Sequence, residues 1–219
     1  MNQAFDAAPE GRSGRGFRAL RRLAAQPPAR ERCGLCASQI DDHQHPHLVD
    51  PQDHRLLCVC GACAILFDAA GVTRYRRVPQ DVRELGGLEI TDVFWNGLAI
   101  PIGLVFVFRS SVSGKVEALY PSPAGPTQSS IDEDTWLELA ALDPLLQTIR
   151  PDIEALLVNR IKGAREYYLA PIDECYKLVG LIRQYWRGFS GGDEAWQRIR
   201  SFLDDLKLRS RSAGVAHRA

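Results

Sequence analysis

Five of the six cysteines in this chain lie close together, and their spacing is that of metal ligands. They occur as Cys33-x2-Cys36 followed by Cys58-x-Cys60-x2-Cys63. A thiolate pair separated by two residues can bind one ion from a tight turn. Two such pairs give the tetrahedral sulfur ligand set that zinc prefers. The predicted metal ligands are therefore Cys33, Cys36, Cys60 and Cys63.

The bound metal is predicted to be zinc, because a closed structural site is the commoner use of paired Cys-x2-Cys motifs. A rubredoxin-like iron or an iron–sulfur cluster stays an alternative, since a tetrahedron of sulfur ligands binds either metal. A Rieske centre is excluded, because it needs a histidine two residues from a cysteine in both ligand pairs.

The remaining two cysteines lie outside this ligand set. Cys58 lies two residues before Cys60, and on an extended strand the two side chains share a face. Cys58 could therefore replace Cys60 as a ligand, exchange with it or act as a redox thiol; otherwise it is a small buried strand residue. Cys175 lies in register with Ile172 and Val179 on an apolar helical stripe. This position predicts inert core packing, because free cysteine is among the most buried residue types.

Four histidines lie between the two cysteine pairs. His43, His45 and His47 alternate, so an extended segment would point all three the same way. They could form a second metal site, supply one ligand to a Cys3His site, or lie in a polar loop. His47 precedes a predicted strand and is the best candidate for a ligand or for the partner of one. His54 falls in a predicted turn, where we expect it to be exposed.

Composition and charge restrict the class of function. The 219 residues include 27 basic and 27 acidic side chains, so the formal net charge is zero and predicts no strong attraction to nucleic acid or membranes. The longest apolar run, from Leu98 to Phe108, contains Pro101 and is too short to span a bilayer. No signal-peptide pattern precedes the cysteines. We therefore expect a soluble, cytoplasmic protein in a reducing compartment, where such cysteine pairs bind metal or do redox chemistry.

The hydrophobic patterning predicts an α+β protein with a small zinc-ribbon-like module near its N-terminus. Residues 1–30 are predicted to be a disordered or weakly helical basic arm, and residues 31–80 the cysteine-rich module. Residues 81–208 are predicted to form an α+β domain with antiparallel strands and C-terminal helices, and residues 209–219 a frayed tail. The module cannot bury much core, so a bound ion would contribute folding free energy.

Individual elements of the α+β domain can also be predicted. Strands are expected at 102–108, 115–120, 153–158 and 165–169, with turns at 111–114 and 162–163 and a loop at 121–126. Helices are expected to begin at the Ser130-x-x-Glu133 capping box, at Pro171 and near Asp193. Asp173 and Glu174 then lie in the first turn of a helix, where a capping role explains both carboxylates.

Several segments together resemble a known bacterial family. They are Cys33-Gly-Leu-Cys36, His47-Leu-Val-Asp50, 56–63, 120–125, Glu154-Ala-Leu-Leu-Val-Asn-Arg160, Ala164-Arg-Glu166, 171–183 and 186–192. Over roughly residues 30–205 the chain resembles an uncharacterised family encoded beside high-affinity, actinobacterial-type NiFe hydrogenases. The resemblance implies an accessory, maturation or electron-transfer role, with a hydrogenase subunit or maturation protein as partner. It transfers no catalytic residues.

Three hypotheses for function follow from these observations. The preferred one is a non-enzymatic, zinc-binding accessory or interaction protein. The second is an iron-containing electron-transfer protein that uses the same four cysteines. The third is a metalloenzyme with an open zinc position formed by Cys and His ligands, for which the sequence offers no convincing general base. No Ser-His-Asp set, zinc-protease helix or dinucleotide-binding fingerprint is present.

Overall fold

The computed structural model describes residues 31–40, 45–68, 74–98, 100–129 and 131–212. The predictions for the basic arm at 1–30, for His43 and for Ser130 fall outside these ranges. The described residues form two sheets, one of three strands and one of seven, with helices packed on the larger sheet. The predicted α+β fold class, with antiparallel strands and C-terminal helices, is confirmed.

The three-stranded sheet belongs to the cysteine-rich module. It consists of β1 (His47–Asp50), β2 (Arg55–Cys58) and β3 (Arg76–Arg77), in the antiparallel order β2-β1-β3. A short helix, α1 (Gly61–Leu66), follows β2. The register places His47 directly opposite Cys58. Val49 of β1 and Val78 after β3 pack into the core beneath the larger sheet, which joins the module to the rest of the protein.

The seven-stranded sheet follows in the chain after β3. Its strands are β4 (Arg83–Glu84), β5 (Leu104–Arg109), β6 (Val116–Ser122), β7 (Gly125–Ser129), β8 (Glu154–Asn159), β9 (Glu166–Pro171) and β10 (Arg211–Ser212). Their spatial order is β10-β4-β9-β8-β5-β6-β7, with antiparallel pairing except between β10 and β4. The central strands β5 and β8 are buried on both faces, which explains their nearly continuous apolar sequences.

Helices cover both faces of this sheet. They are α2 (Asp92–Gly97), α3 (Glu133–Ala141), α4 (Pro144–Gln147), α5 (Ile172–Tyr185) and α6 (Gly192–Arg209). Helices α5 and α6 pack on the face that carries Phe106 and Leu157, and this core also takes in Cys175. Helices α3 and α4 pack on the opposite face, which carries Val105 and Leu156. The alternation along β5 and β8 therefore supplies two separate cores.

The predicted loop at 121–126 is wrong. The structure continues β6 through Ser122 and starts β7 at Gly125, so these residues close a tight hairpin. Pro121 lies directly opposite Pro126. Opposed pairs in an antiparallel ladder alternate between hydrogen-bonded and non-hydrogen-bonded, and two facing prolines suit the second kind. Strand β7 is at the edge of the sheet and has β6 as its neighbour. The missing N–H of Pro126 therefore deprives no further strand of a hydrogen-bond donor.

Two element ends also differ from the sequence prediction. Asp132 is the N-cap of α3, and its carboxylate accepts a hydrogen bond from the Thr135 backbone N–H at 2.7 Å. In the segment 209–219, where a frayed tail is predicted, Arg209 is still helical and Arg211–Ser212 pairs with β4 as β10; residues 213–219 lie outside the described ranges. The Arg209 guanidinium also contacts the buried Glu174 carboxylate at 3.3 Å, which holds the end of α6 against α5.

Candidate metal centre

Four cysteine side chains converge at one end of the module. The sulfur atoms of Cys33, Cys36, Cys60 and Cys63 all lie within 4.8 Å of one another. We refer to these four residues as the tetrathiolate cluster. The Sγ atoms of Cys36 and Cys60 are 3.7 Å apart, close to the roughly 3.8 Å edge of a tetrahedron built on Zn–S bonds of about 2.3 Å. The arrangement therefore fits one tetrahedrally coordinated ion.

The first cysteine pair is held by a tight turn. The Cys33 N–H donates to Ser38 O at 2.8 Å, and the Ala37 N–H donates to Cys33 O at 2.9 Å. Ala37 adopts a left-handed conformation with φ of 60°, which closes the turn. The Gly34 N–H donates to Cys58 O at 2.8 Å and so fastens the turn to the end of β2. Backbone hydrogen bonds thus place this pair beside the second one.

The second cysteine pair opens helix α1. Cys60 is the N-cap residue, and its sulfur accepts a hydrogen bond from the Cys63 N–H at 3.5 Å. A sulfur at a helix N-cap faces the free N–H groups of the first turn, which favour a negative charge. This N–H lowers the pKa of Cys60. The local fold therefore favours a thiolate at Cys60.

The four thiols do not ionise alike. Burial alone would raise the pKa of Cys33, but the N–H groups of Cys36, Cys60 and Leu35 outweigh it and lower this pKa to about 6. Burial and the neighbouring thiols instead raise the pKa of Cys63 to about 12. Each thiolate opposes ionisation of the next one in such a group. A divalent cation would remove that opposition, so metal binding to such a group would release protons.

Cys58 lies in a different group from Cys60. Strand β2 ends at Cys58, and the chain then turns into α1, so the two side chains no longer share a strand face. The structure brings Cys58 together with His45 and His47, whose ligand atoms all lie within 4.8 Å of one another. We refer to these three residues as the His–Cys cluster. The sequence left open that Cys58 replaces Cys60 as a ligand, or that His47 replaces one of the thiolates. The structure instead places both residues in a separate group.

Strand pairing builds the His–Cys cluster. His47 and Cys58 are directly opposed on β1 and β2, so their side chains lie on one face. His45 precedes His47 by two residues, and the two rings meet edge to face with centroids 4.9 Å apart. His45 and His47 therefore lie together, as expected for an extended segment, whereas His43 lies outside the described residues. Burial, together with the charges of Glu31 and Asp173, raises the pKa of Cys58.

Asp173 connects this cluster to the larger domain. It lies in the first turn of α5, and its Oδ2 is 2.8 Å from Nδ1 of His47. Its other oxygen accepts a hydrogen bond from the Glu174 N–H at 2.9 Å. The sequence offered only a helix-capping role for Asp173. No local pattern could have found its partner, because 126 residues separate the two.

Several other polar residues, and Cys175, have structural surroundings outside the two clusters. His54 has φ of 53°, and its ring packs edge-on against Phe108 with centroids 5.3 Å apart, so it is half-buried instead of exposed. Arg160 and Arg165 both contact the Asp92 carboxylate at the start of α2. Glu174 is buried and contacts Lys177 at 3.0 Å as well as Arg209. Cys175 is fully buried in the core, as its place on the apolar stripe predicts.

The chain belongs to the family DUF5947. This family of unknown function matches residues 32–210, which include every member of both clusters. No curated protein and no solved structure matches the chain. The matched region runs from the first cysteine-bearing turn to the end of α6, and the family assigns no activity to it.

Across the part of the chain that the structure describes, no helix combines the length and the apolar character needed to cross a membrane.

The tetrathiolate cluster is the feature that the sequence predicted completely, because the spacing of its cysteines is local. The role of Asp173 became visible only in the tertiary structure, which sets His47 against the start of α5.

Proposed function

We propose that this protein is a non-enzymatic, zinc-binding accessory or interaction protein. The observation that carries the proposal is the convergence of four cysteine sulfurs from two turns that are joined by backbone hydrogen bonds. Cys33, Cys36, Cys60 and Cys63 would supply a closed ligand set, and a closed site is the arrangement of structural zinc. When bound, the ion supplies folding free energy to the module.

The small core of the module supports a structural role for the ion. Its buried residues are Cys33, Ile40, Leu48, Val59, Cys63 and Ala64. Two of these six are themselves metal ligands, so few aliphatic side chains are left to hold the module together. Without an ion the buried sulfurs of Cys33 and Cys63 face other thiols instead of a cation. A module of this kind depends on metal binding for its fold.

A hydrogenase subunit or maturation protein is the proposed partner. The support for this part is the resemblance of residues 30–205 to proteins encoded beside NiFe hydrogenases. The zinc-stabilised module and the seven-stranded domain would together present the surface that the partner recognises. Purified hydrogenase subunits that fail to bind the metal-loaded protein in a direct binding measurement would contradict this assignment.

Metal content and the visible absorption spectrum test the proposal directly. We expect protein purified without oxygen to be colourless and to carry zinc in the tetrathiolate cluster. Cys60→Ser should lose that zinc and unfold the module, because three sulfurs cannot close the ligand set. The matched control Cys175→Ala removes a cysteine from the larger core and should keep the zinc. Strong visible absorption with iron in place of zinc would instead establish the electron-transfer alternative.

A further inference from the structure

The His–Cys cluster is a separate group of metal ligands. We propose that His45, His47 and Cys58 form a second metal site, which binds one zinc-class divalent ion and leaves a coordination position open to a neighbouring cleft. This site is distinct from the tetrathiolate cluster and shares no side chain with it. It is composed of two imidazoles and one thiolate, a donor set that suits zinc and related transition metals.

The spacing of these groups fits one ion after small side-chain adjustments. Ligands of a tetrahedral zinc lie roughly 3.3–3.8 Å apart, given Zn–N bonds of about 2.0–2.1 Å and Zn–S bonds of about 2.3 Å. The three ligand atoms here lie within 4.8 Å of one another. The β1–β2 pairing fixes the backbones of His47 and Cys58, so only side-chain rotation is needed.

Asp173 gives His47 the partner that a metal-binding histidine needs. Metal-ligating histidines almost always bond through their second ring nitrogen to a carboxylate or carbonyl, which fixes the ring and its tautomer. The Asp173 carboxylate lies 2.8 Å from Nδ1 of His47 and is largely buried, with its side chain 15% exposed. This contact leaves Nε2 of His47 as the atom able to bind metal. Asp173 is therefore a positioning residue and not a ligand in this proposal.

The ring of His45 also lies near a carboxylate from outside the cluster. Its Nε2 lies 3.5 Å from the Glu31 carboxylate, and its side chain is only 8% exposed. Glu31 and Asp173 thus each place a carboxylate near the cluster. With one thiolate as the sole anionic ligand, a divalent ion would keep a single positive charge. The two carboxylates stabilise that charge without coordinating the ion.

The cluster borders a cleft between the module and the N-terminal end of α5. The cleft has a volume of about 540 Å³ and is lined by His45, His47, Gln80, Asp173, Lys177 and Arg209, among others. Zinc sites with three protein ligands keep the fourth position for water or another ligand, whereas closed structural sites use four. The three-residue donor set beside this cleft is therefore that of an open site, unlike the tetrathiolate cluster.

Zinc stoichiometry of the full chain tests the proposal. Reduced, metal-free protein is loaded with zinc, unbound metal is removed, and zinc per chain is measured beside circular dichroism as a check of folding. We expect two zinc ions per chain in the unaltered protein and one in both Cys58→Ser and His47→Gln. The matched control His54→Gln changes a nearby histidine that lies outside both clusters, and it should keep two. One zinc in the unaltered protein, or two in both cluster variants, would overturn the proposal.

Asp173→Asn supplies a second, graded measurement. Loss of such an outer partner typically weakens metal affinity about 10–100-fold. We expect that weakening for one of the two ions in a competition with a coloured chelator, and no change for the other. Equal affinities in Asp173→Asn and the unaltered protein would contradict the positioning role.

Cobalt reports on the open coordination position. Added azide should shift the visible spectrum of cobalt at the second site and leave tetrathiolate-bound cobalt unchanged, because only the second site has a free position. A spectrum of both cobalt ions that azide leaves unaltered would show that the second site is closed.

The outcomes of this test and of the proposed function can be told apart. Zinc content of Cys60→Ser tests the tetrathiolate cluster and the structural role proposed for it. Loss of one zinc from Cys58→Ser, with the module still folded, concerns only the second site. A protein that binds zinc at the His–Cys cluster but not at the four cysteines would refute the proposed function and support the second site.

Discussion

The cysteine-rich module and the seven-stranded domain bury very different amounts of apolar surface. Both faces of the larger sheet are covered by helices, and its central strands β5 and β8 supply aromatic and aliphatic side chains to two cores. The module has a single small core in which two cysteines are members. Each buried aliphatic or aromatic side chain contributes about 1.5–3 kcal/mol, so the larger domain has many such contributions and the module few.

If the proposed function holds, metal binding stabilises the module and hydrophobic burial stabilises the larger domain. Below about 40 residues a chain usually needs disulfides, metals or association to fold, and the module is near that limit. All six cysteines are free thiols, so disulfides do not stabilise it. Contacts with the larger domain also support it, among them those of Val49 and Val78 with the larger core, of His54 with Phe108 and of His47 with Asp173.

Removal of metal should separate the two regions most sharply. Structural zinc contributes an apparent binding free energy of about 10–16 kcal/mol in zinc-finger peptides near neutral pH. A chelator should therefore abolish amide hydrogen-exchange protection in β1, β2 and α1 while β5 and β8 stay protected. Exchange measured by mass spectrometry with and without chelator gives this result peptide by peptide.

The control for this experiment is zinc added back to the chelated protein, which should restore protection in the module. Uniform loss of protection across both regions would contradict the division, because it would mean that the module and the larger domain unfold as one cooperative unit. The contacts of Val49 and Val78 with the larger core are the route by which such coupling would act.

Local sequence signals predicted the parts of the fold that depend on local physics. The Cys-x2-Cys spacing fixes which sulfurs can meet in one turn, and both pairs are brought together as expected. The 3, 4, 3, 4 spacing of apolar residues from Ile172 to Trp186 predicted α5 for the same reason, since helical periodicity is local. The β5–β6 hairpin followed from its turn residues at 111–114.

The sequence did not predict features that depend on long-range contacts. It also did not predict strand pairing where the residue composition is typical of a loop. Pro121 and Pro126 make 121–126 appear to be a loop, although their opposed positions suit a hairpin. Asp173 meets His47 only because the module packs against the start of α5. Strand β10 forms because its two residues pair with β4. So short a strand has no periodicity that a sequence pattern could reveal.

Glu154 offers a smaller test, confined to the larger domain. This buried carboxylate at the start of β8 accepts hydrogen bonds at 2.9 Å from the guanidinium groups of Arg83 and Arg150. Glu154→Gln should lower the free energy of unfolding by about 1–3 kcal/mol at neutral pH, because charged hydrogen bonds are lost. Arg150 is half exposed, so solvent screening places the expected loss near the lower end. Urea unfolding monitored by fluorescence measures it.

The pH dependence of this effect has a definite sign. Burial acts to raise the pKa of Glu154, but hydrogen bonds and charge from Arg150 and Arg83 outweigh it and lower this pKa below its usual value. A lowered pKa in the folded state stabilises the protein above the unfolded carboxyl pKa, and the stabilisation is lost as the pH falls through the folded pKa. The variant and the unaltered protein should therefore converge in acid. A difference that stays constant with pH would show that the charge is unimportant, and zinc content should be the same in both proteins.

Cys175→Ala should have an effect on stability no larger than that of Glu154→Gln. Cys175 is fully buried on α5 within the core that contains Leu178 and Ile199, and burial raises the pKa of its thiol. Cys175→Ala should cost about 1 kcal/mol of unfolding free energy, because a small buried side chain is shortened in a packed core. Cys175→Ser should cost more, since it places a hydroxyl where a cysteine packs as a small hydrophobic group. Both variants should bind the same number of zinc ions as the unaltered protein, as measured by elemental analysis. Loss of a zinc ion from Cys175→Ala would mean that packing around α5 affects the metal-binding module. The two regions would then not be stabilised independently.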